Sequence, residues 1–501
     1  MTARARSFGT RGLSSRAGVF GILLVGALAT GTTRAATSPA PPAASAASKV
    51  SLPPARTVTL PNGARLILAE RHDVPLISFG GTIRGAGDLT DPPGKEGLAS
   101  LTADLLRKGA GKRSAREIAA VVDGAGADLS TDAGVETATI SGKFMARDQA
   151  LMIELIRSLL REPAFPDSEF TKLKEQTIEG LKAQKDDLYS MLGLYAAAYF
   201  YGSHPYGRPV TGDEATVAAI TRDDVLACYR RNYGGDRLIL AIVGDFDARA
   251  MEAKLRSALG DWPAAASPAP AVPPTSRRTG RRVLLVNRPD ATQSYFWIGN
   301  LGVSRTDPDR VAIDVVNTAF GGRFTSMLNT ALRIKSGLTY GAVARIPRPT
   351  QPGAVALVSY TKTETTQKAI DLALATLAGL RSSGLDRPAL RSATQYIEGQ
   401  YPTAFETNGQ IAGALADLAY HDLPLTEVTE YPARVEAVRD PAALMPVIQR
   451  VYPPASDLTF VVVGKADVLR PMLKKYGPIV ETTMDEPLLT GVRRADHSKA
   501  R

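Results

Sequence analysis

NTAFGGRFTSMLNTALRIKSGLTY, residues 317–340, decides how the rest of the chain is read. Gly321 and Gly322, flanked by Phe320 and Phe324, predict a turn built on backbone angles that other residues avoid. Phe324, Met327, Leu328, Ala331 and Leu332 then recur at three- and four-residue spacing, which predicts a helix with one apolar face. Lys335-Ser336-Gly337 breaks it, and Leu338-Thr339-Tyr340 reads as the start of a strand. Arg333 and Tyr340 bracket this helix-to-strand turn, seven positions apart. A guanidinium and a phenol so placed can meet at one carbonyl oxygen and polarise it. A surface Arg beside a half-buried strand Tyr fits the same spacing.

Outward from that stretch, the chain divides. Ala264 to Thr275, AAASPAPAVPPT, has the composition of an extended linker and falls near the middle. Before it, Tyr233 leads into Asp236-Arg-Leu-Ile-Leu-Ala-Ile-Val-Gly244 and Asp247; near the end of the second half, Tyr452 leads into Asp457-Leu-Thr-Phe-Val-Val-Val-Gly464 and Asp467. Both halves open as strand, turn, strand, at Thr57–Glu70 and Arg282–Leu301. In the first the turn is Pro61-Asn62-Gly63, a strong hairpin signal. Together these predict a duplicated α+β fold. Val74 to Arg84 reads as a further strand, a helix is expected from Glu96, and Ser114 to Glu117 is a capping box opening the next. Helical patterns follow at 148–161 and 169–185.

The paired-Gly turn, the Phe, the Leu-Arg helix end, the Gly-Leu-x-Tyr turn and the Arg-to-Tyr spacing resemble the C-terminal half of the insulinase-like (pitrilysin family) zinc peptidases. The resemblance spans residues 55 to 480 and implies two homologous halves, each a mixed sheet backed by helices, facing each other as a clam-shell. It also implies that Arg333 and Tyr340 position substrate and stabilise the charge that develops on its carbonyl. Active members carry His-x-x-Glu-His on a helix of the first half, with another Glu about 75 residues on. Two His at i and i+4 share a helix face and reach one Zn²⁺, while the Glu activates water. Here Ser100 and Asp104 stand where the His would be, Ala103 where the Glu would be, and Glu179 at the distal position. Ser is a poor zinc ligand, and Ala takes no proton. The four histidines, His72, His204, His421 and His497, are scattered, and His204 in Gly202–Gly207 reads as structural. The expectation is therefore no metal in this chain, zinc in an insulinase-like partner subunit, and a heterodimer that cleaves peptides. A catalytically silent peptide-binding or assembly subunit of the same fold is the other reading.

The domain plan expected is a signal peptide at 1–36, a disordered linker at 37–55, and a first peptidase-like domain at 56–263. An interdomain linker follows at 264–281, then a second peptidase-like domain at 282–485 and a tail at 486–501. Four Arg precede an apolar run of 14, Ala17 to Thr30, with Thr33-Arg-Ala-Ala36 behind it for cleavage, which points to export to a periplasm. Fourteen residues are short for a permanent membrane span. The formal charge of +10 holds five Arg of that segment, and +3 more lies from Gly491 to Arg501, so the body gives no electrostatic case for nucleic acid. A single cysteine, Cys228, forbids an intrachain disulfide.

Overall fold

The computed structural model describes residues 50–497, with main chain only for the last four. The expected export segment, most of the 37–55 linker and the His497 side chain lie outside the described residues. The first half contributes β1 (Ala55–Thr59), β2 (Arg65–Glu70), β3 (Leu76–Arg84), β4 (Asp128–Ala133), β5 (Thr137–Met145) and β6 (Leu238–Gly244). The second contributes β7 (Arg282–Asn287), β8 (Gln293–Leu301), β9 (Ala342–Arg345), β10 (Ala354–Lys362), β11 (Thr459–Gly464) and β12 (Ile479–Thr483). Each set forms one six-stranded mixed sheet, ordered β1-β2-β6-β3-β5-β4 and β9-β10-β8-β11-β7-β12.

Laid over each other, β2 matches β7, β3 matches β8, β4 matches β9, β5 matches β10 and β6 matches β11. In both sheets the pair made by the opening strand and the late strand is parallel (β2/β6, β7/β11), and the strand on the far side of the late strand (β3, β8) runs antiparallel to it. Gly244 and Gly464 end the matched strands with φ of 148° and 159°. The two sheets differ at one edge. The first ends on the N-terminal strand β1, antiparallel to β2, and the second on the C-terminal strand β12, parallel to β7.

Central strands buried on both faces read as continuous apolar runs, as β6 (LILAIVG) and β11 (TFVVVG) do. One face of each sheet packs on helices of its own half. The other face is covered by the opposite half. Helices α1 (Leu98–Leu105), α2 (Asp167–Gln184) and α3 (Leu188–Tyr201) lie in the first half; α4 (Arg310–Phe320), α5 (Asn408–Tyr420) and α6 (Leu488–His497) lie in the second. Ile411, Ala412, Leu415 and Ala419 of α5 pack on Ile67, Ile239, Ala241 and Val243 of the first sheet. Reciprocally, Met191, Tyr195 and Ala198 of α3 pack on Leu284, Val286, Trp297 and Val461 of the second. Each buried Val, Leu, Ile or Met side chain among these stabilises by roughly 1.5–3 kcal/mol. Neither half keeps both faces of its sheet dry alone.

Local expectations are met where short-range chemistry sets them. Ser114 caps the helix Ala115–Gly124, with the Glu117 carboxylate returning to the Ser114 amide at 2.8 Å. The Pro-rich strap is better tied than its composition implies. Asp236 accepts from the Ala265 amide at 2.8 Å, and His204 meets the Pro273 carbonyl at 2.9 Å. The expected tail from 486 is instead largely helix α6, whose Leu488, Leu489 and Val492 are buried against the α3 cluster.

Candidate functional site

Helix α4 ends at Phe320, and Gly321 and Gly322 turn the chain behind it. Neither glycine uses positive φ; Gly321 has φ −155°. The reason for glycine there is room. A Cβ on Gly321 would lie 2.4 Å from the Ala344 nitrogen, so any side chain pushes β9 away. The helix expected from Phe324 starts later, at Met327, because Ser326 caps it by accepting from the Asn329 amide. Phe324 is therefore outside the helix and 58% exposed. From Thr330 to Lys335 the winding is π-helical, a widened turn often found at functional positions. Gly337, at φ 64°, closes it, and the Leu338 amide donates to the Leu332 carbonyl at 2.9 Å. The strand expected at Leu338 begins only at Ala342.

Tyr340 thus sits in the connection rather than in a strand, 76% exposed. Arg333 is half-buried, its guanidinium 4.6 Å from the centre of the Phe324 ring. Within the described chain neither side chain hydrogen-bonds a neighbour, and neither bonds the other. A phenol and a guanidinium at one helix-to-strand turn can each donate a hydrogen bond to an acceptor.

The positions matching the metal motif lie on α1. Asp91 caps this helix through the Gly97 and Ala99 amides, both at 2.9 Å. Ser100 and Asp104 are half-buried on one face, and Ala103 is fully buried. Burial pushes the Asp104 carboxyl up, against the pull of Arg107. Glu179 does not complete a set with them. Helix α2 packs on α1, but the Glu179 side chain is 70% exposed and pairs with Lys182 at 2.7 Å. Among the described residues no three His, Cys, Asp or Glu side chains stand close enough to share a metal ion. A hydroxyl, a methyl, one carboxylate and a distant solvated glutamate do not fit catalytic zinc. His204 is structural as read, its Nδ1 accepting from the Tyr206 amide at 3.0 Å.

The sequence gives no sign of a third feature, a cavity of about 670 Å³ between the halves, lined by Gly80, Glu136, Tyr206, Pro349, Ala416 and Tyr420 among others. Arg333 and Tyr340 take no part in it. Glu136 is nine-tenths buried and makes no ion pair among the described residues. It accepts from Tyr206 Oη at 2.5 Å, Tyr420 Oη at 2.7 Å, the Thr350 amide at 3.1 Å and the Thr350 hydroxyl. Burial raises its pKa, but these donors outweigh it and hold the carboxyl below its ordinary range. The partners come from both halves, 70 to 284 residues away, so no local motif announces them.

Comparison with known proteins agrees with this geometry. The insulinase (peptidase family M16) model matches residues 81–214, which hold Ser100, Ala103, Asp104 and Glu179; the peptidase M16 inactive domain model matches 219–394, which hold Arg333 and Tyr340. An uncharacterized zinc protease of Streptomyces coelicolor is 30% identical over 57% of this chain and 63% of its own length. The chain thus aligns with under two thirds of that relative. A non-peptidase homolog of Helicobacter pylori, YmxG, is 22% identical over 72% of this chain and 83% of its own. The crystal structure of a peptidase M16 inactive domain from Pseudomonas fluorescens superposes with a TM-score of 0.76 at 22% identity, over 82% of this chain and 98% of that one. The periplasmic protease PqqL of Escherichia coli superposes at 0.70 and 19% identity, over 88% of this chain and 49% of that one. With duplicated six-stranded sheets and two models of this family following one another over 81–214 and 219–394, the chain belongs to the insulinase-like peptidase family, M16.

Proposed function

We propose that this chain is the non-metal subunit of a heterodimeric periplasmic zinc peptidase. The metal and its activated water belong to the partner subunit. This chain supplies Arg333 and Tyr340, which bind the peptide carbonyl and donate to its oxygen as negative charge builds there. The observation that carries the reading is the contrast between two sites. Ser100, Ala103 and Asp104 cannot do the metal's work, while Tyr340 stands exposed, Arg333 is half-buried against the Phe324 ring, and neither has a hydrogen-bond partner among the described residues. The basic, apolar and small-residue order of the N-terminal segment supports export, as does the periplasmic setting of the PqqL relative. Among the described residues no helix is long and apolar enough to cross a membrane.

The test is co-purification with an M16 partner that carries His-x-x-Glu-His, followed by zinc analysis and peptide cleavage. Arg333→Ala and Tyr340→Phe should leave assembly intact and each lower kcat/KM of the complex by about 10²-fold, since one lost oxyanion donor costs about 3 kcal/mol. The double variant should lose less than the sum, because both groups serve one transition state. A second reading, a catalytically silent peptide-binding or assembly subunit, is favoured by the non-peptidase name of the Helicobacter pylori relative. Unchanged turnover per assembled complex in both variants would leave that reading standing.

A further inference from the structure

Between Asp314 and Glu364 the chain holds no carboxylate, yet it carries Arg323, Arg333, Lys335, Arg345, Arg348 and Lys362. Arg348 is committed to Asp314 at 2.7 Å. Among the described residues the other five make no ion pair. Arg323 donates to the Ser392 carbonyl at 2.7 Å and lies over the Tyr396 ring. Arg333 lies over Phe324, and Arg345 donates to the Tyr189 hydroxyl at 2.9 Å. Lys335 and Lys362 are exposed. Elsewhere the same residue types pair readily: Arg434, Arg450 and Arg470 each hold two carboxylates. The absence of ion pairs here thus follows from a stretch that carries no acid of its own.

The same stretch exposes large apolar groups. Phe324 is 58% exposed, Ile334 53% and Tyr340 76%. Tyr340 lies in the connection into β9, the outermost strand of its sheet, and Arg345 of β9 reaches Tyr189, whose ring meets the stacked pair Tyr295 and Tyr360, 5.4 Å apart. The carboxylate beside that pair, Asp187, is occupied in capping α3, where it accepts from the Tyr189 and Ser190 amides. Unpaired cations interleaved with exposed rings attract carboxylates over a distance and hold apolar side chains on contact.

We propose that this face takes extended peptide segments that carry Glu or Asp among apolar residues. On the heterodimer reading above, on which the word substrate rests, the substrates of the assembled site are acid-bearing peptides. The test needs no partner. Two fluorescein-labelled unstructured peptides of equal length, one mixing Glu with Leu and Phe and the other with Lys for every Glu, are titrated into the purified chain and followed by anisotropy. The acidic peptide should bind at least about tenfold tighter at low salt, with the gap closing as salt rises. Lys335→Glu with Lys362→Glu should abolish or invert that preference at unchanged melting temperature, and Phe324→Ser should weaken both peptides alike. Equal binding of the two peptides overturns the proposal, and so does an acid preference that survives the double charge reversal. A single-stranded oligonucleotide that displaces the acidic peptide at equal concentration also overturns it, since the face would then be a general polyanion surface. Because binding is read on this chain alone, a complex that fails to turn over peptides sinks the heterodimer reading and leaves the acid preference to be judged separately.

Discussion

Replacing Glu136 by Ala should loosen the join between the halves. The carboxylate accepts four hydrogen bonds from Tyr206, Tyr420 and Thr350, two of them at 2.5 and 2.7 Å. A hydrogen bond to a charged group contributes about 1.5–3 kcal/mol, and a buried donor left unpaired costs about 1–3 kcal/mol. The cavity beside Glu136 is large enough to admit water to the orphaned hydroxyls, so the costs do not simply add. A net loss of about 2–4 kcal/mol is expected for Glu136→Ala. Glu136→Gln should lose less: its amide oxygen still accepts, but its NH₂ opposes the Thr350 amide donor. Urea denaturation gives the magnitude, and hydrogen exchange gives the place. Exchange should quicken at 347–353 and at the C-terminal turn of α5 while the sheet strands keep their protection. Because the native pKa of Glu136 lies below its unfolded value, its contribution is full above about pH 4.5 and fades as pH falls through the native pKa. The wild type and Glu136→Gln should therefore converge in acid. A Glu136→Ala stability within about 0.5 kcal/mol of wild type at neutral pH, or exchange quickened evenly over the whole chain, would refute the reasoning.

Asp88 is fully buried, neither of its carboxylate oxygens has a partner, and burial with Asp91 nearby pushes it up to about 8. Its native pKa exceeds its unfolded one, so it costs stability increasingly as pH rises from about 4 to 8; Asp88→Asn should gain on wild type over that window by up to about 1.4 kcal/mol per pH unit, read from denaturation midpoints. Gly321→Ala should cost about 1–3 kcal/mol by pushing β9 outward, whereas Gly337→Ala, where no heavy atom lies near the new Cβ but φ is 64°, should cost only the backbone penalty of about 1 kcal/mol. The purified chain alone should hold substoichiometric zinc by elemental analysis; one tight zinc per chain that vanishes on mutating Asp104 would contradict the site as described.

What was legible in the sequence is what short-range chemistry sets. The Pro61-Asn62-Gly63 hairpin, the Ser114 capping box and the matched strands ending at Gly244 and Gly464 all appear where periodicity and turn residues put them. Three things were hidden. Nothing in the 3.6-residue patterns of α3 and α5 says that each covers the other half's sheet. Gly321 signals a turn, but whether glycine is needed for its angle or for the space beside Ala344 depends on a contact across 23 residues. The late start at Met327 and the π winding to Lys335 follow from the Ser326 cap and the Leu338-to-Leu332 closure, which outweigh the apolar spacing of Phe324. Spacing singles out Arg333 and Tyr340 as candidates; how exposed each is could not be read from it.

That exposure separates tyrosines whose hydroxyls are spent on the fold from one whose hydroxyl is not. Tyr206 and Tyr420 spend their hydroxyls on Glu136, and Tyr452 is fully buried against Phe320. Removing the Tyr420 hydroxyl should therefore cost about 1–2 kcal/mol, since it leaves a buried acceptor short of a donor. Among the described residues the Tyr340 hydroxyl bonds nothing, and 76% of the residue faces solvent. Tyr340→Phe should accordingly change stability by less than about 0.5 kcal/mol, the ordinary range for a surface substitution. Measured side by side, the two Phe variants split what folding requires from what the assembled site requires. A Tyr340→Phe chain that melts like wild type while its complex loses turnover assigns the hydroxyl to chemistry outside this chain. One that destabilises as much as Tyr420→Phe would show that the connection from Gly337 to Gly341 is held by that phenol, and the case for a donor kept free for a partner's substrate would fall.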